Sequence, residues 1–206
     1  MKAELFRTES DTWLPAALDV LEGGGLVAFP TDTVYGLGVK VQLEDSVDRL
    51  FEVKERLRSK PIPVLLDQFE LLGDIVDEVP PMAQIFSQKF WPGPLTMVLK
   101  RRPGLEFLGG DDDTVGVRVP DHLITLKLLA AAGPLAVTSA NLSGARNVFS
   151  AKEVYDQLSD WIDLIIDGGR IPEGKPSTVI DCSGDSPQIL RKGPISQKDL
   201  NQALLS

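Results

Sequence analysis

The side chains able to do chemistry fall into small groups separated by apolar runs. Thr31, Asp32 and Thr33 follow the run Leu26–Phe29 and precede Tyr35, Gly36 and Gly38. Thr138, Ser139 and Asn141 follow Leu135–Val137, Thr114 and Arg118 bracket a third run, and Ser177 and Thr178 open a fourth. Positive charge gathers at Lys54, Arg56, Arg58 and Lys60, with Arg118 and Arg191 further on. Hydroxyl and amide groups hold polar ligand atoms, and arginine grips two anionic oxygens at once. Together these groups describe a site for a polyanion beside a small polar molecule. The single histidine, His122, and the single cysteine, Cys182, have no evident partners, so no activated nucleophile stands out. Catalysis then rests on positioning and charge stabilisation, as phosphoryl or nucleotidyl transfer requires.

Each group also has a structural reading. Thr31, Asp32 and Thr33 suit a turn between two strands, where their side chains satisfy local backbone. The Lys54–Lys60 charges suit a solvated helix end, and this weighs about the same as a ligand cluster. Asp111, Asp112 and Asp113 read as a solvated acidic loop rather than a metal cage, and His122 as a structural or exposed side chain. Arg118 is different. An arginine within an apolar strand is costly to bury unpaired, so it needs a carboxylate of the protein or an anionic ligand.

The elements that must position these groups follow from periodicity. Leu14, Leu18 and Leu21 mark a helix over 11–22, closed by Gly23–Gly25. Leu26–Phe29 reads as a buried strand. Val47, Leu50, Phe51 and Leu57 predict a helix over 44–58, stopped by Pro61. Strands are expected over 62–66, 96–100, 114–120, 135–138, 162–167, 177–181 and 187–190. Helices are expected over 68–77, 80–90, 121–132 with Asp121 as cap, 151–159 and 196–204. Residues 104–113 and 168–176 read as flexible loops. Helical and strand-only connections alternate, which implies one α/β domain over 1–206 with a mixed sheet. No G-x-G-x-x-G or P-loop pattern occurs, so any nucleotide binds without those devices.

Composition bounds the function. The 206 residues are 43% hydrophobic and 25% charged, ordinary for a globular chain with a sizeable core. No apolar run approaches a membrane span, and the N-terminus is too polar for a signal peptide. One cysteine excludes an internal disulfide, and these features together point to the cytoplasm. A net charge of −9 disfavours a protein built to grip a nucleic-acid backbone and favours a small-molecule enzyme with a local cationic pocket.

Taken in order, PTDTVYGLG (30–38), KERLRSKP (54–61), WPGPLT (91–96), VRVP (117–120), TSANLSG (138–144), PSTVID (176–181) and RKG (191–193) resemble the YrdC-like threonylcarbamoyl-AMP synthase family over about residues 10–195. The resemblance implies a twisted mixed parallel and antiparallel sheet flanked by helices, with a concave active-site groove. It implies an enzyme joining L-threonine, bicarbonate and ATP into threonylcarbamoyl-adenylate with release of pyrophosphate, magnesium accompanying the ATP. The product would pass to threonylcarbamoyl-transfer proteins acting on adenosine 37 of tRNA.

Family roles carry over to matching positions. Lys54 and Arg56, with Ser139 and Asn141, match the active-site pairs. Arg56, Lys60, Thr114, Ser139, Asn147 and Arg191 match ATP positions. Thr31, Thr33, Arg118, Val137 or Thr138, and Ser177 match threonine positions, with Arg118 facing the threonine carboxylate. Some members carry a threonine-binding histidine where this chain has Leu65. The chain is similar to the short, single-domain form. Other readings within the same resemblance are an RNA- or tRNA-binding module, a non-synthase paralogue and the carbamoyltransferase domain of hydrogenase maturation.

Overall fold

In the computed structural model, which describes residues 2–205, ten strands form one sheet. They are β1 (Glu4–Arg7), β2 (Val27–Phe29), β3 (Gly36–Lys40), β4 (Val64–Leu65), β5 (Leu95–Lys100), β6 (Thr114–Arg118), β7 (Leu135–Ser139), β8 (Leu164–Asp167), β9 (Thr178–Asp181) and β10 (Gln188–Arg191). Their spatial order is β1-β8-β2-β3-β7-β4-β6-β5-β9-β10. Pairing is parallel for β1/β8, β2/β8, β4/β6 and β5/β9, and antiparallel for the rest. The expected mixed sheet is therefore present.

Among the described residues six α-helices flank it: α1 (Trp13–Glu22), α2 (Glu44–Val53), α3 (Pro81–Phe90), α4 (Leu123–Ala132), α5 (Ala151–Leu158) and α6 (Gln197–Ala203). They cover the two faces unequally. On one face, α2, α3, α5 and α6 pack Leu50, Phe86, Val154 and Leu200 against inward residues of most strands. On the other, α1 and α4 pack, and their cluster takes buried strand residues from β2, β4, β7 and β8, with Phe6 of β1 packed against it. Val115 and Val117 of β6 belong to the first core. Strand alternation therefore turns Thr114, Gly116 and Arg118 to the second face. There the α1/α4 cluster takes no residue of β5, β6 or β9, and the polar stretch it leaves, in which Thr96, Gly116 and Arg118 are themselves buried, is the groove.

Several boundaries differ from expectation. Helix α2 stops at Val53, five residues short of Arg58, because Glu55 takes a left-handed φ of 44°. The Glu55 and Arg56 N–H groups bond back to Glu52 and Phe51, the two bonds of a Schellman ending. Residues 69–74 form a 3-10 segment rather than an α-helix over 68–77. Helix α4 starts at Leu123, so His122, not Asp121, occupies the capping position, and its side chain makes no cap bond. Strand β1 was not expected. Its ELFR residues carry no alternating apolar signal, and it sits at the sheet edge on β8. Strand β3 follows the polar turn without a β-branched run, because its glycines admit a tight neighbour. A Cβ at Gly36 or Gly38 would lie 3.0 Å from a side chain of Val137 or Phe29.

Candidate active site

Arg118 sits at the end of β6 with only 7% of its side chain exposed. Its buried charge is met from within the chain. Nη2 donates to Asp32 Oδ1 at 2.5 Å, Nη1 to the Thr33 hydroxyl at 3.0 Å, and Nε to the Gly93 carbonyl at 2.9 Å. Burial works against the guanidinium, and the neighbouring Asp32 carboxylate offsets it. The loop bearing Asp32 is itself held rigid. Thr31 donates its hydroxyl proton to the Val34 carbonyl, so Thr33 must donate to Thr31 in their 3.1 Å contact. Tyr35 pins the far end of the loop through its hydroxyl on the Gly169 carbonyl, and the Thr125 hydroxyl of α4 binds the Pro30 carbonyl.

The Schellman ending of α2 sends two adjacent cations in different directions. Lys54 turns inward and is 4% exposed. Its ammonium reaches the Ser139 carbonyl at 2.7 Å, the Asn141 carbonyl, and Asn141 Oδ1 at 3.4 Å. Three N–H groups thus meet three oxygens at the end of β7. Burial, then the charge of Arg56, lowers the Lys54 pKa to about 8. Asn141 is fixed from its other side, donating to the Ala145 carbonyl at 2.7 Å. Arg56, half-buried, lies across the next turn, with Nε on the Lys60 carbonyl and Nη2 on the Pro61 carbonyl, both at 2.9 Å. Lys60 itself is exposed.

On the other side of β6, Ser177 joins the groove from the start of β9. Its hydroxyl lies 2.8 Å from that of Thr96 on β5 and accepts from Arg191 Nη2 at 3.0 Å. Arg191 Nε binds the Ser177 carbonyl. Arg56 and Arg191 have no carboxylate partner among the described residues. Burial lowers the pKa of both, and the charge of Arg191 adds to the effect on Arg56 and on Arg118. Lys54, Arg56 and Arg191 therefore form a coupled field of positive charge in a chain of net charge −9, and Arg191 also acts on the Asp32-paired Arg118.

Register shows how the groove is laid out. Arg118 and Thr114 stand four residues apart on one face of β6, about 13 Å at 3.3 Å per residue. Pairing puts Arg118 beside Leu65 of β4, and carries Val137 and Ser139 of β7 progressively toward the Thr114 end. Gly116 lies between, where a Cβ would come within 3.2 Å of Pro63 and Thr96 side chains. Val137 shares the Arg118 face, whereas Thr138 points to the opposite one, opposite Leu37. Asn147 is half-buried in the loop after Asn141. Leu65 is buried against Phe29, Val137 and Leu128 in the α1/α4 core.

Asp32 and Thr96 are the site residues that residue type alone did not assign. Asp32 was visible as a carboxylate among threonines, but its partner lies 86 positions away. Thr96 is one hydroxyl in an apolar strand, with nothing local to mark it. Among the described residues no group of three or more His, Cys, Asp and Glu side chains can hold a metal ion. His122 stands beside the site with Nδ1 buried and unpartnered. Burial keeps its pKa below the ordinary value against the pull of Asp32 and Asp121.

The Sua5/YciO/YrdC family model, described as telomere recombination, matches residues 19–193. The chain belongs to this family. It is 38% identical over 201 residues to the threonylcarbamoyl-AMP synthase of Pyrococcus abyssi, covering 96% of this chain and 59% of that protein. It is 35% identical over 205 residues to the threonylcarbamoyl-AMP synthase of Bacillus subtilis, covering 95% of this chain and 57% of that one. The crystal structure of P. abyssi Sua5 complexed with L-threonine matches with a TM-score of 0.92 and 37% identity, over 99% of this chain and 61% of that chain. The chain thus spans about three fifths of the length of these relatives. No helix among the described residues is long and apolar enough to cross a membrane.

Proposed function

We propose that this Sua5/YciO/YrdC chain is a nucleotidyltransferase that makes L-threonylcarbamoyl-adenylate. The observation that carries the reading is the contrast within one groove. Arg56, half-buried, and Arg191, exposed at the end of β10, are guanidiniums with no acid partner among the described residues, coupled to Lys54, while Arg118 is neutralised by Asp32. Cations without an internal counter-charge suit a triphosphate. A buried, net-neutral ion pair suits an amino acid, which is itself a zwitterion. The relatives named for this synthesis, one of them complexed with L-threonine, support the same assignment.

In this reading the threonine amine attacks bicarbonate, water leaves, and a carbamate forms. A carbamate oxygen then attacks the α-phosphorus of ATP, the bond to the β,γ-phosphates breaks, and pyrophosphate departs. Arg118 holds the threonine carboxylate, with Thr33, Ser177 and Val137 around it. Arg56, Lys60 and Arg191 hold the phosphates, with Ser139, Thr114 and Asn147 toward the nucleotide. Lys54 fixes the Ser139–Asn141 turn that faces them. About 13 Å along β6 separates the two ends, room for both substrates side by side. Magnesium would accompany the ATP as part of the nucleotide substrate and would help neutralise its phosphates. The protein works in the cytoplasm, and its adenylate passes to transfer proteins that modify adenosine 37 of tRNA.

The test is pyrophosphate release and mass-spectrometric detection of the adenylate with ATP, magnesium, L-threonine and bicarbonate, omitting each in turn. Product that requires all four supports the synthase. Pyrophosphate formed without threonine or bicarbonate would overturn it.

A further inference from the structure

Asp32 does more in this geometry than neutralise Arg118. The Arg118–Asp32 pair leaves specific bonding capacity unused. Of the five guanidinium N–H groups, three are taken by Asp32 Oδ1, Thr33 and Gly93, so two remain. Asp32 Oδ2 has no partner among the described residues, and 14% of the side chain is exposed against 7% for Arg118. The loop cannot supply a donor to Oδ2 from the neighbouring hydroxyls, because the Thr33 and Thr31 protons are already committed. At the start of α4, the Thr125 hydroxyl is likewise committed to the Pro30 carbonyl and the Leu126 N–H to the His122 carbonyl.

Resting on the amino-acid reading above, we infer that Asp32 is the specificity-determining residue for the α-amino group of the substrate. An α-amino acid carries its carboxylate and its nitrogen on one carbon. When the carboxylate takes the free N–H groups of Arg118, the nitrogen comes into reach of Asp32 Oδ2. The two halves of the substrate then lie antiparallel to the two halves of the ion pair. The contact outlives the loss of a proton, because a neutral amine still donates N–H to a carboxylate. The amine can therefore be held while it becomes a nucleophile. The same arrangement rejects ligands of the wrong charge. A hydroxy or plain carboxylic acid of the same shape leaves Asp32 unmatched, and a second carboxylate meets it with repulsion.

The experiment measures direct binding of L-threonine and of 3-hydroxybutyrate, the same skeleton without the amine, to the wild type and to Asp32→Asn. Asparagine keeps the shape and an oxygen for Arg118. The wild type should prefer threonine by about 10–100-fold, the range of a hydrogen bond to a charged group. In Asp32→Asn the preference should shrink to within about threefold, chiefly by loss of threonine, with ATP binding held within twofold as the check on folding. Wild-type protein that binds both acids equally overturns the inference without any variant. So does a variant that keeps the wild-type preference. If Asp32→Asn does not fold, Asp32→Glu carries the same comparison with the charge retained and displaced, and an unchanged preference there overturns it. Wild-type protein that binds neither threonine nor ATP would overturn the proposed function first, which separates the two failures.

Discussion

Two arginine-bearing regions are coupled through Arg191 and are built on opposite electrostatic plans. At the Arg118 corner the guanidinium is almost fully buried, bonded on three nitrogens and matched by Asp32, so the region is close to neutral. Along the rim, Arg56 is half-buried and Arg191 exposed, and among the described residues they bond only to neutral oxygens of Lys60, Pro61 and Ser177. Their charges add instead of cancelling. The difference teaches that arginine content alone does not define a ligand. What defines it is the charge left after internal partners are counted. The corner matches a zwitterion and the rim matches a polyanion, although both are read from the same residue type.

The strongest way to break this comparison is Arg118→Ala. Truncating one partner of a buried, hydrogen-bonded charge pair costs about 2–5 kcal/mol, or roughly 30- to several-thousand-fold in threonine use. The apparent threonine affinity should fall by that factor while ATP binding changes little. Stability should fall too, because Asp32 is left buried and unpaired. The double variant Arg118→Ala with Asp32→Asn should regain part of that stability and none of the threonine affinity. Calorimetric titration with each substrate and thermal denaturation check both arms. Equal loss of ATP and threonine binding would show that corner and rim are one site.

A smaller effect sharpens the other half. Arg56→Ala and Arg191→Ala should each weaken ATP binding by about 1.5–3 kcal/mol, on the order of 10–100-fold. Threonine binding should stay within about threefold in Arg56→Ala, whereas Arg191→Ala also releases Ser177 and weakens it further. The ATP affinity of the wild type should also fall with added salt, because the rim charge is partly exposed. A variant that loses threonine and keeps ATP would reverse the assignment of the two regions.

Lys54 adds a pH dependence with a defined sign. With its pKa lowered to about 8 by burial and by Arg56, the ammonium loses a proton as pH rises through that value. The neutral amine has two N–H groups for three oxygens, so the Ser139–Asn141 turn loosens. Adenylate formation at saturating substrates should be about tenfold lower at pH 9 than on the plateau below pH 7. The contribution to stability runs the other way. The unfolded lysine holds its proton to about 10.5, so between about pH 8 and 10.5 the unfolded state binds more protons and this group favours folding more as pH rises. A pH-rate profile beside thermal unfolding across pH 7–10 separates the two. In Lys54→Met the fall in rate through pH 8 should vanish, and a persisting fall would point to another group.

Much of this was legible in the sequence because it was local. Apolar runs ending in hydroxyls marked β2 and β7, one opening on them marked β9, and a charge inside an apolar strand marked Arg118. That argument left its partner open, and the fold supplies Asp32 from 86 positions away, a pairing no local pattern encodes. The groove was implied by the family resemblance rather than by periodicity. It depends on which strands α1 and α4 leave uncovered, and helical spacing alone does not say where a helix packs. The end of α2 failed to show for a chemical reason. Helices of this kind end on glycine, and the residue here is glutamate.

Glu55 therefore supports the smallest and most specific prediction. A non-glycine residue at φ 44° bears a steric cost of about 1–2 kcal/mol, yet both Schellman bonds form around it. Those bonds set Lys54 facing inward and Arg56 along the rim. Glu55→Gly removes the steric cost and keeps the bonds, while glycine's greater freedom in the unfolded chain takes back part of the gain. Stability should rise by no more than about 1 kcal/mol, and adenylate formation should stay within about twofold. Glu55→Val should do the opposite, since a β-branched side chain resists this conformation and would straighten the turn. Its activity should fall, with ATP affinity reduced more than threonine affinity, because Arg56 lies directly after the turn and Arg118 lies on another strand. Equal behaviour of the glycine and valine variants would mean that the rim is set by Pro61 and the following strand instead of by the end of α2.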